Sequence, residues 1–261
     1  MSWFEYKKAR IYYEEAGSGE PLLLVPGWGG SIEEFGDLRQ ALASKYRVIA
    51  ADAPGSGRSG PQPREYTSSY YRQDVEAFAA LLEDLGALPA HLLGFSDGGE
   101  YALLLAAVHP EMARSIVSWG AAGALPESAS ALTDAFGDLV DAPIPPLADF
   151  SAYMRGAYGV ENARIMSQSA ARALRDIIAA GGDISRSRAG NITCPALLIT
   201  GEEDFLATPA IVAEMAAAIG HGEFVEVKGA EHPVHATHGE WLTQKITSWL
   251  AELPRGEFAN R

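Results

Sequence analysis

The stretch Gly94-Phe95-Ser96-Asp97-Gly98-Gly99 holds the residue types and spacing that point most directly at chemistry. It matches G-x-S-x-G, with the apolar run Ala90-His91-Leu92-Leu93 before it and the apolar segment Glu100 to Val108 after it. Strand, sharp turn and helix together present a strained serine with its hydroxyl exposed at the top of a sheet. Glycines flank the serine because a side chain at either position would clash in so tight a bend. The Asp97 N–H, just after the serine, sits at a helix N-terminus that favours negative charge, so it is expected to face a developing oxyanion.

A serine is a poor nucleophile until a base takes its proton. In a G-x-S-x-G enzyme of this kind the chain order is Ser, acid, His. Asp204, in Gly201-Glu202-Glu203-Asp204, follows the apolar run Ala196 to Thr200. His232, in Gly229-Ala230-Glu231-His232, follows Phe224 to Val227. Both fall at the carboxyl ends of expected strands, where open α/β sheets place their sites. His232 is assigned as base and then acid, and Asp204 as the residue that fixes its tautomer. Glu202 and Glu203 compete for the acid role, and His235 is the runner-up base. His232, His235 and His238 recur every three residues, a spacing that on a helix would suit a metal. Pro233 disfavours a regular helix starting at His232, so no metal is expected, and the triad needs no cofactor. His238 is assigned to the start of the last helix.

Two further loops support this reading. Pro26-Gly27-Trp28-Gly29-Gly30 follows the run Leu22 to Val25, and its Trp28 backbone N–H is the expected second oxyanion donor. Asp52-Ala53-Pro54-Gly55-Ser56-Gly57-Arg58-Ser59 reads as a structural loop bracing the serine turn, with no catalytic role for Asp52 or Arg58.

The elements that must position these residues are legible as short apolar runs bounded by turn residues. Trp3 to Glu15 reads as an opening hairpin before Gly17-Ser18-Gly19. Buried strands are expected at 22–25, 46–51, 90–93, 113–119, 196–200 and 224–227. Helical patterns lie between them: Val75, Phe78, Ala79 and Leu82 share one face, and 100–108, 211–219 and 241–250 follow. The alternation predicts an α/β fold, a mostly parallel central sheet flanked by helices. The rhythm breaks between residues 121 and 192, where Pro143-Ile144-Pro145-Pro146 precedes helical patterns over 163–180. That stretch is expected to be a helical cap insertion, with 1–120 and 193–261 as the core.

Bulk properties narrow the class further. The 261 residues are 48% apolar and 21% charged, ordinary globular values, and the net charge is −14. Such a chain is a poor partner for nucleic acid or an anionic membrane. The single cysteine, Cys194, reads as a small core hydrophobe at a strand entry. No signal peptide and no membrane span are recognised, which makes the cytoplasm the expected compartment.

These motifs, in this order, resemble the α/β-hydrolase superfamily over nearly the whole chain. Within it the chain is most similar to the valacyclovir hydrolase (biphenyl hydrolase-like) group. The similar segments are Leu24-Val25-Pro26-Gly27, Gly94 to Gly99, Ser118-Trp119-Gly120-Ala121, Cys194-Pro195-Ala196-Leu197 and His232-Pro233-Val234-His235. The resemblance implies a helical cap and hydrolysis of α-amino-acid esters, with Asp97 recognising the substrate ammonium and Gly27 and Trp119 lining the substrate site. Without the resemblance, Asp97 could equally serve only to stabilise the helix N-terminus. The same triad would also support lactone or carbon–carbon bond hydrolysis, and a ligand-binding protein using the cap as a lid is a third reading. Phe136, Phe150, Tyr153, Met154 and Tyr158 are candidates for an aromatic pocket or for plain cap core.

Overall fold

The structure, a computed structural model, describes residues 2–253. Its strands are β1 (Ser2–Tyr6), β2 (Ala9–Ala16), β3 (Pro21–Val25), β4 (Arg47–Ala51), β5 (Ala90–Phe95), β6 (Ala113–Trp119), β7 (Ala196–Gly201) and β8 (Gly222–Val227). They form one eight-stranded sheet in the order β1-β2-β4-β3-β5-β6-β7-β8. The β1–β2 and β2–β4 pairings are antiparallel, and every pairing from β4 across to β8 is parallel. The inner strands are buried along nearly their whole length. They carry continuous apolar runs because both faces are covered, as parallel sheets require.

The helices are α1 (Gly36–Ala43), α2 (Tyr70–Asp84), α3 (Asp97–Val108), α4 (Ser130–Gly137), α5 (Ala148–Tyr158), α6 (Val160–Ala179), α7 (Pro209–Ala218), α8 (Val234–Thr237) and α9 (Gly239–Glu252). Successive strand residues point to opposite faces, and the two cores sort accordingly. Leu23, Ile49, Leu92, Ile116 and Leu198 pack with Phe78 of α2, Leu104 of α3 and Met215 of α7. Leu22, Val48, Leu93, Val117 and Ile199 pack with Leu42 of α1 and with Ile246 and Trp249 of α9.

The stretch between β6 and β7 holds α4, α5 and α6 and no named strand. Its two ends are drawn together by the isolated bridge between Ala124 and Asp183 and by the Leu125 N–H, which donates to the Gly182 carbonyl at 2.7 Å. In α6, Ala163, Met166, Ala170, Ala173 and Ile177 recur at helical spacing and are buried.

Several elements start earlier than the sequence suggests, β8 and α3 among them. β8 begins at Gly222, and α3 begins at Asp97. The helix absorbs the turn glycines because Gly98 must pass directly beneath the end of β3. A Cβ on Gly98 would stand 2.0 Å from the Val25 carbonyl oxygen, and one on Gly94 would stand 2.2 Å from the backbone of Gly98. Overpacking of this kind costs roughly 1–3 kcal/mol or more. Gly98→Ala is therefore expected to lower the urea midpoint by at least that equivalent, while Ser96→Ala stays within about 0.5 kcal/mol of wild type. An unchanged midpoint in Gly98→Ala would show that β3 and α3 are not held this close.

Candidate active site

Ser96 lies between the end of β5 and the start of α3, with φ 53° and ψ −119°. A non-glycine residue there is strained, and the turn survives because its neighbours over-determine it. The Ser96 N–H donates to the Trp119 carbonyl of β6 at 2.8 Å, and the Ser96 carbonyl accepts the Glu100 N–H at 3.0 Å.

The sheet then delivers the partners. Loops after β7 and β8 carry Asp204 and His232 to the same end of the sheet. Ser96 Oγ lies 3.0 Å from His232 Nε2, and His232 Nδ1 lies 2.8 Å from Asp204 Oδ2. A carboxylate only accepts, so His232 carries its proton on Nδ1, and the free Nε2 lone pair receives the serine hydroxyl. Asp204 is itself held: its Oδ1 accepts the N–H groups of Leu206 and Ala207, each at 2.8 Å, and the Thr200 hydroxyl lies 3.1 Å from Oδ2. Its rivals stand elsewhere. Glu203 is exposed, and Glu202 accepts the Gly229 N–H at 3.0 Å. His235 accepts the Trp119 indole N–H on Nδ1 at 3.1 Å and packs on Phe95, and burial pushes it down to about 4. The site pairs Ser96 with His232, not His235. His238 stands immediately before α9.

Trp28 and Asp97 bring their backbone N–H groups to either side of the nucleophile, one in the turn after β3 and one at the first residue of α3. The Gly27 N–H is engaged by Glu34 Oε1 at 3.2 Å. Gly27 abuts the nucleophile: a Cβ there would stand 3.1 Å from the Phe95 ring and 3.3 Å from the Ser96 Cβ. Trp119 requires a correction. Instead of lining the substrate site, it is completely buried on the opposite face of the sheet, against Phe35 and Phe95 and bonded to His235. Strand alternation sets this side, since Val117 and Trp119 of β6 share the face of Leu93 and Phe95.

A cavity of about 100 Å³ opens beside Ser96 and His232. Asp97, Glu100 and Tyr71 give it a polar side, and Leu132, Phe136, Leu174 and Ile178 from the helical stretch face it with Ile211 of α7. The Asp97 carboxylate accepts the Tyr71 hydroxyl at 2.7 Å and the Tyr70 hydroxyl at 3.0 Å. Burial pushes Asp97 up to about 6, the two tyrosine bonds pull it back, Asp74 adds to the rise, and Arg64 opposes it. Burial likewise lifts Glu100 to about 7, although the Ala122 and Gly123 N–H groups bond to it. Asp74 beneath them is paired with Arg64 through two contacts of 2.8 Å and accepts the Tyr101 hydroxyl. Asp52 accepts the Ile32 and Arg58 N–H groups, a brace between two loops. Cys194 is buried, and burial pushes its thiol up to about 12. No helix is long and apolar enough to cross a membrane among the described residues.

A family model described as alpha/beta hydrolase fold matches residues 20–175, more than half of the chain. The chain belongs to the α/β-hydrolase family. This α/β hydrolase is 29% identical to the serine hydrolase BPHL of Homo sapiens over 75% of its own length and 67% of that protein. It is 25% identical to the (E)-2-((N-methylformamido)methylene)succinate hydrolase of Acinetobacter baylyi, over 93% of this chain and 95% of that one. Among solved structures, the enol-lactonase from Burkholderia xenovorans LB400 superposes with a TM-score of 0.76 at 23% identity, over 96% of this chain and all of the other.

Sequence reasoning missed the tyrosine pair that grips Asp97 and the place of Glu100 on the cavity wall. Tyr70 and Tyr71 sit at helical spacing from the core residues Val75 and Phe78, so periodicity reads them as packing. In this hydrolase they also mark where a buried acid needs donors.

The raised carboxyls make stability depend on pH. The fold favours neutral Asp97, so its ionisation removes stability progressively as pH rises from about 4 to about 6, and the loss is constant above that. Asp97→Asn lacks this penalty. Its stability relative to wild type is expected to improve between pH 4 and pH 7.5 by on the order of 3 kcal/mol. Urea titrations at the two pH values test this, and a pH-independent difference would contradict it.

Proposed function

We propose that this hydrolase cleaves carboxylic esters through an acyl-enzyme on Ser96, and that its substrates are small α-amino-acid esters whose ammonium group is held by Asp97. The observation that carries the first half is the continuous relay from Ser96 Oγ through His232 to Asp204. His232 Nε2 takes the Ser96 proton as Oγ bonds to the ester carbonyl carbon. The carbonyl oxygen becomes an oxyanion facing the Trp28 and Asp97 N–H groups. The tetrahedral adduct collapses, the alkoxide leaves with the proton from His232, and the acyl group stays on Ser96. Water then enters by the same steps in reverse order, releasing the acid and restoring the serine.

The second half rests on what surrounds Asp97. The acid stands directly after the nucleophile, borders the cavity and accepts the Tyr70 and Tyr71 hydroxyls. Burial with neutral donors leaves its charge poorly compensated, and a substrate ammonium would supply the missing partner. The small cavity and its apolar wall suit a compact acyl group. Asp97 and Glu100 together disfavour an anionic substrate. That separates this reading from relatives named for a succinate or for a hexadienoic acid.

The deciding comparison is kcat/KM for an amino-acid benzyl ester against its N-acetylated twin. Wild type is expected to prefer the free amine by roughly tenfold to a hundredfold, the worth of a charge-assisted bond, and Asp97→Ala to erase the preference. Ser96→Ala and Asp204→Asn should each lose on the order of 10⁴-fold or more in kcat. The preference should be greatest between about pH 6, where Asp97 ionises, and about pH 8, where an α-amine loses its proton. Equal cleavage of both esters would leave the triad standing and remove the amino-ester claim. A single turnover that stalls with product bound would favour the ligand-binding reading.

A further inference from the structure

The turn that carries the Trp28 N–H is finished by a residue far away in the chain. The Gly30 N–H donates to the Gly27 carbonyl at 3.0 Å, closing a four-residue turn with Gly29 at φ 70°. A trans peptide points its C=O and N–H in opposite directions. Fixing the Gly27 carbonyl therefore fixes the direction of the Trp28 N–H.

Gly29 is gripped at both ends. Its N–H donates to Ser56 Oγ at 3.1 Å, and its carbonyl accepts the Tyr158 hydroxyl at 2.7 Å. The same Tyr158 oxygen accepts the Gly57 N–H at 2.7 Å. One buried hydroxyl at the end of α5 thus ties together the two glycine-rich loops that follow β3 and β4. The rest of that helix face bears on the same turn. Phe150, Met154 and Tyr158 recur every four residues, on one side of the helix. Met154 Sδ lies 2.6 Å from where a Gly29 Cβ would be, and Phe150 packs on the Trp28 ring at 5.9 Å between centroids.

We infer that Tyr158 is a positioning residue: through Gly29 and Gly57 it makes the oxyanion hole complete only when α5 is seated on the core. The inference rests on the acyl-enzyme reading of Ser96, because it assigns the Trp28 N–H to the oxyanion. Catalytic competence is thereby coupled to the helices over the site, since lifting α5 withdraws the hydroxyl that ties the turn to its neighbouring loop. The relay through His232 and Asp204 does not touch α5 and stays intact.

The test uses the full chain and two readouts. One is steady-state ester hydrolysis. The other is affinity for an aryl trifluoromethyl ketone, which forms a tetrahedral adduct on Ser96 and needs the oxyanion hole without needing turnover. Tyr158→Phe keeps the ring and removes the two bonds. It is expected to lower kcat and ketone affinity together by roughly tenfold to a hundredfold, less than the 10²–10³ of deleting a donor outright. KM should stay within about twofold, and the acidic limb of the pH–rate profile should not move. Arg175→Ala, which breaks an exposed ion pair between α6 and α4, should leave ketone affinity at the wild-type value. If Tyr158→Phe does not fold, Ser56→Ala releases Gly29 from its other side and should reproduce the loss. Wild-type ketone affinity in the folded variant, or a loss confined to KM, overturns the inference. If wild type binds the ketone but cleaves no ester, the ester reading fails by itself, and ketone affinity in Tyr158→Phe still decides the role of the tyrosine. If wild type does not bind the ketone either, both fall together.

Discussion

The close approach of Gly98 to the end of β3 governs the rest of the molecule. With no side chain in the way, α3 starts directly under the Val25 and Pro26 carbonyls. Ser96 must then bridge strand and helix in a conformation that costs on the order of 1–3 kcal/mol. That cost is offset by the Ser96 N–H bonded to β6, by the first turn of α3 and by a helix body buried along nearly its whole length. Because β3 and α3 touch, the loop after β3 has no choice but to pass beside the nucleophile. The distance between Trp28 and Ser96 is thus a property of sheet and helix packing, and loop sequence only refines it.

Around this turn lie several buried acids, compensated in three different ways. Asp74 has the Arg64 guanidinium. Asp52, Glu100 and Asp204 have backbone N–H groups. Asp97 has two phenols. Backbone donors and guanidinium groups stabilise a carboxylate strongly, whereas neutral hydroxyls do so less. Asp97 and Glu100, both lifted by burial and both on the cavity wall, are therefore the acids exposed to what enters the cavity. The fold carries the cost as reduced stability near neutral pH, a common bargain at functional sites.

Much of this was legible before any coordinates. The inner strands β3 to β7 announced themselves as short apolar runs with turn residues at their ends, because parallel strands covered on both faces leave no other pattern, whereas β1 and β2 were read as a hairpin. Ser96, Asp204 and His232 stood at strand ends in the expected order, and the structure brings them into hydrogen-bond contact. Trp119 was misplaced because its segment was matched as a block. The alternation of β6, with Phe95 opposite Trp119 in the register, was enough to turn it toward α9 and away from the cavity. The roles of Tyr70, Tyr71 and Tyr158 were hidden for a different reason. Each occupies a position that helical periodicity assigns to packing, and what matters is an oxygen whose partners lie 26 or more residues away.

The sheet order has a consequence for the growing chain. The nucleophile sits at the end of β5, but its base arrives only after β8 has paired with β7, 136 residues later. Contacts over such a separation are slow to form compared with local structure. During synthesis the serine turn can form on β3, β5 and β6 long before any base exists to activate it. The nucleophile and its base are thus joined only by the tertiary fold: Ser96 has no activating partner within its own strand–turn–helix unit, and the chain through His232 must be in place before the relay exists.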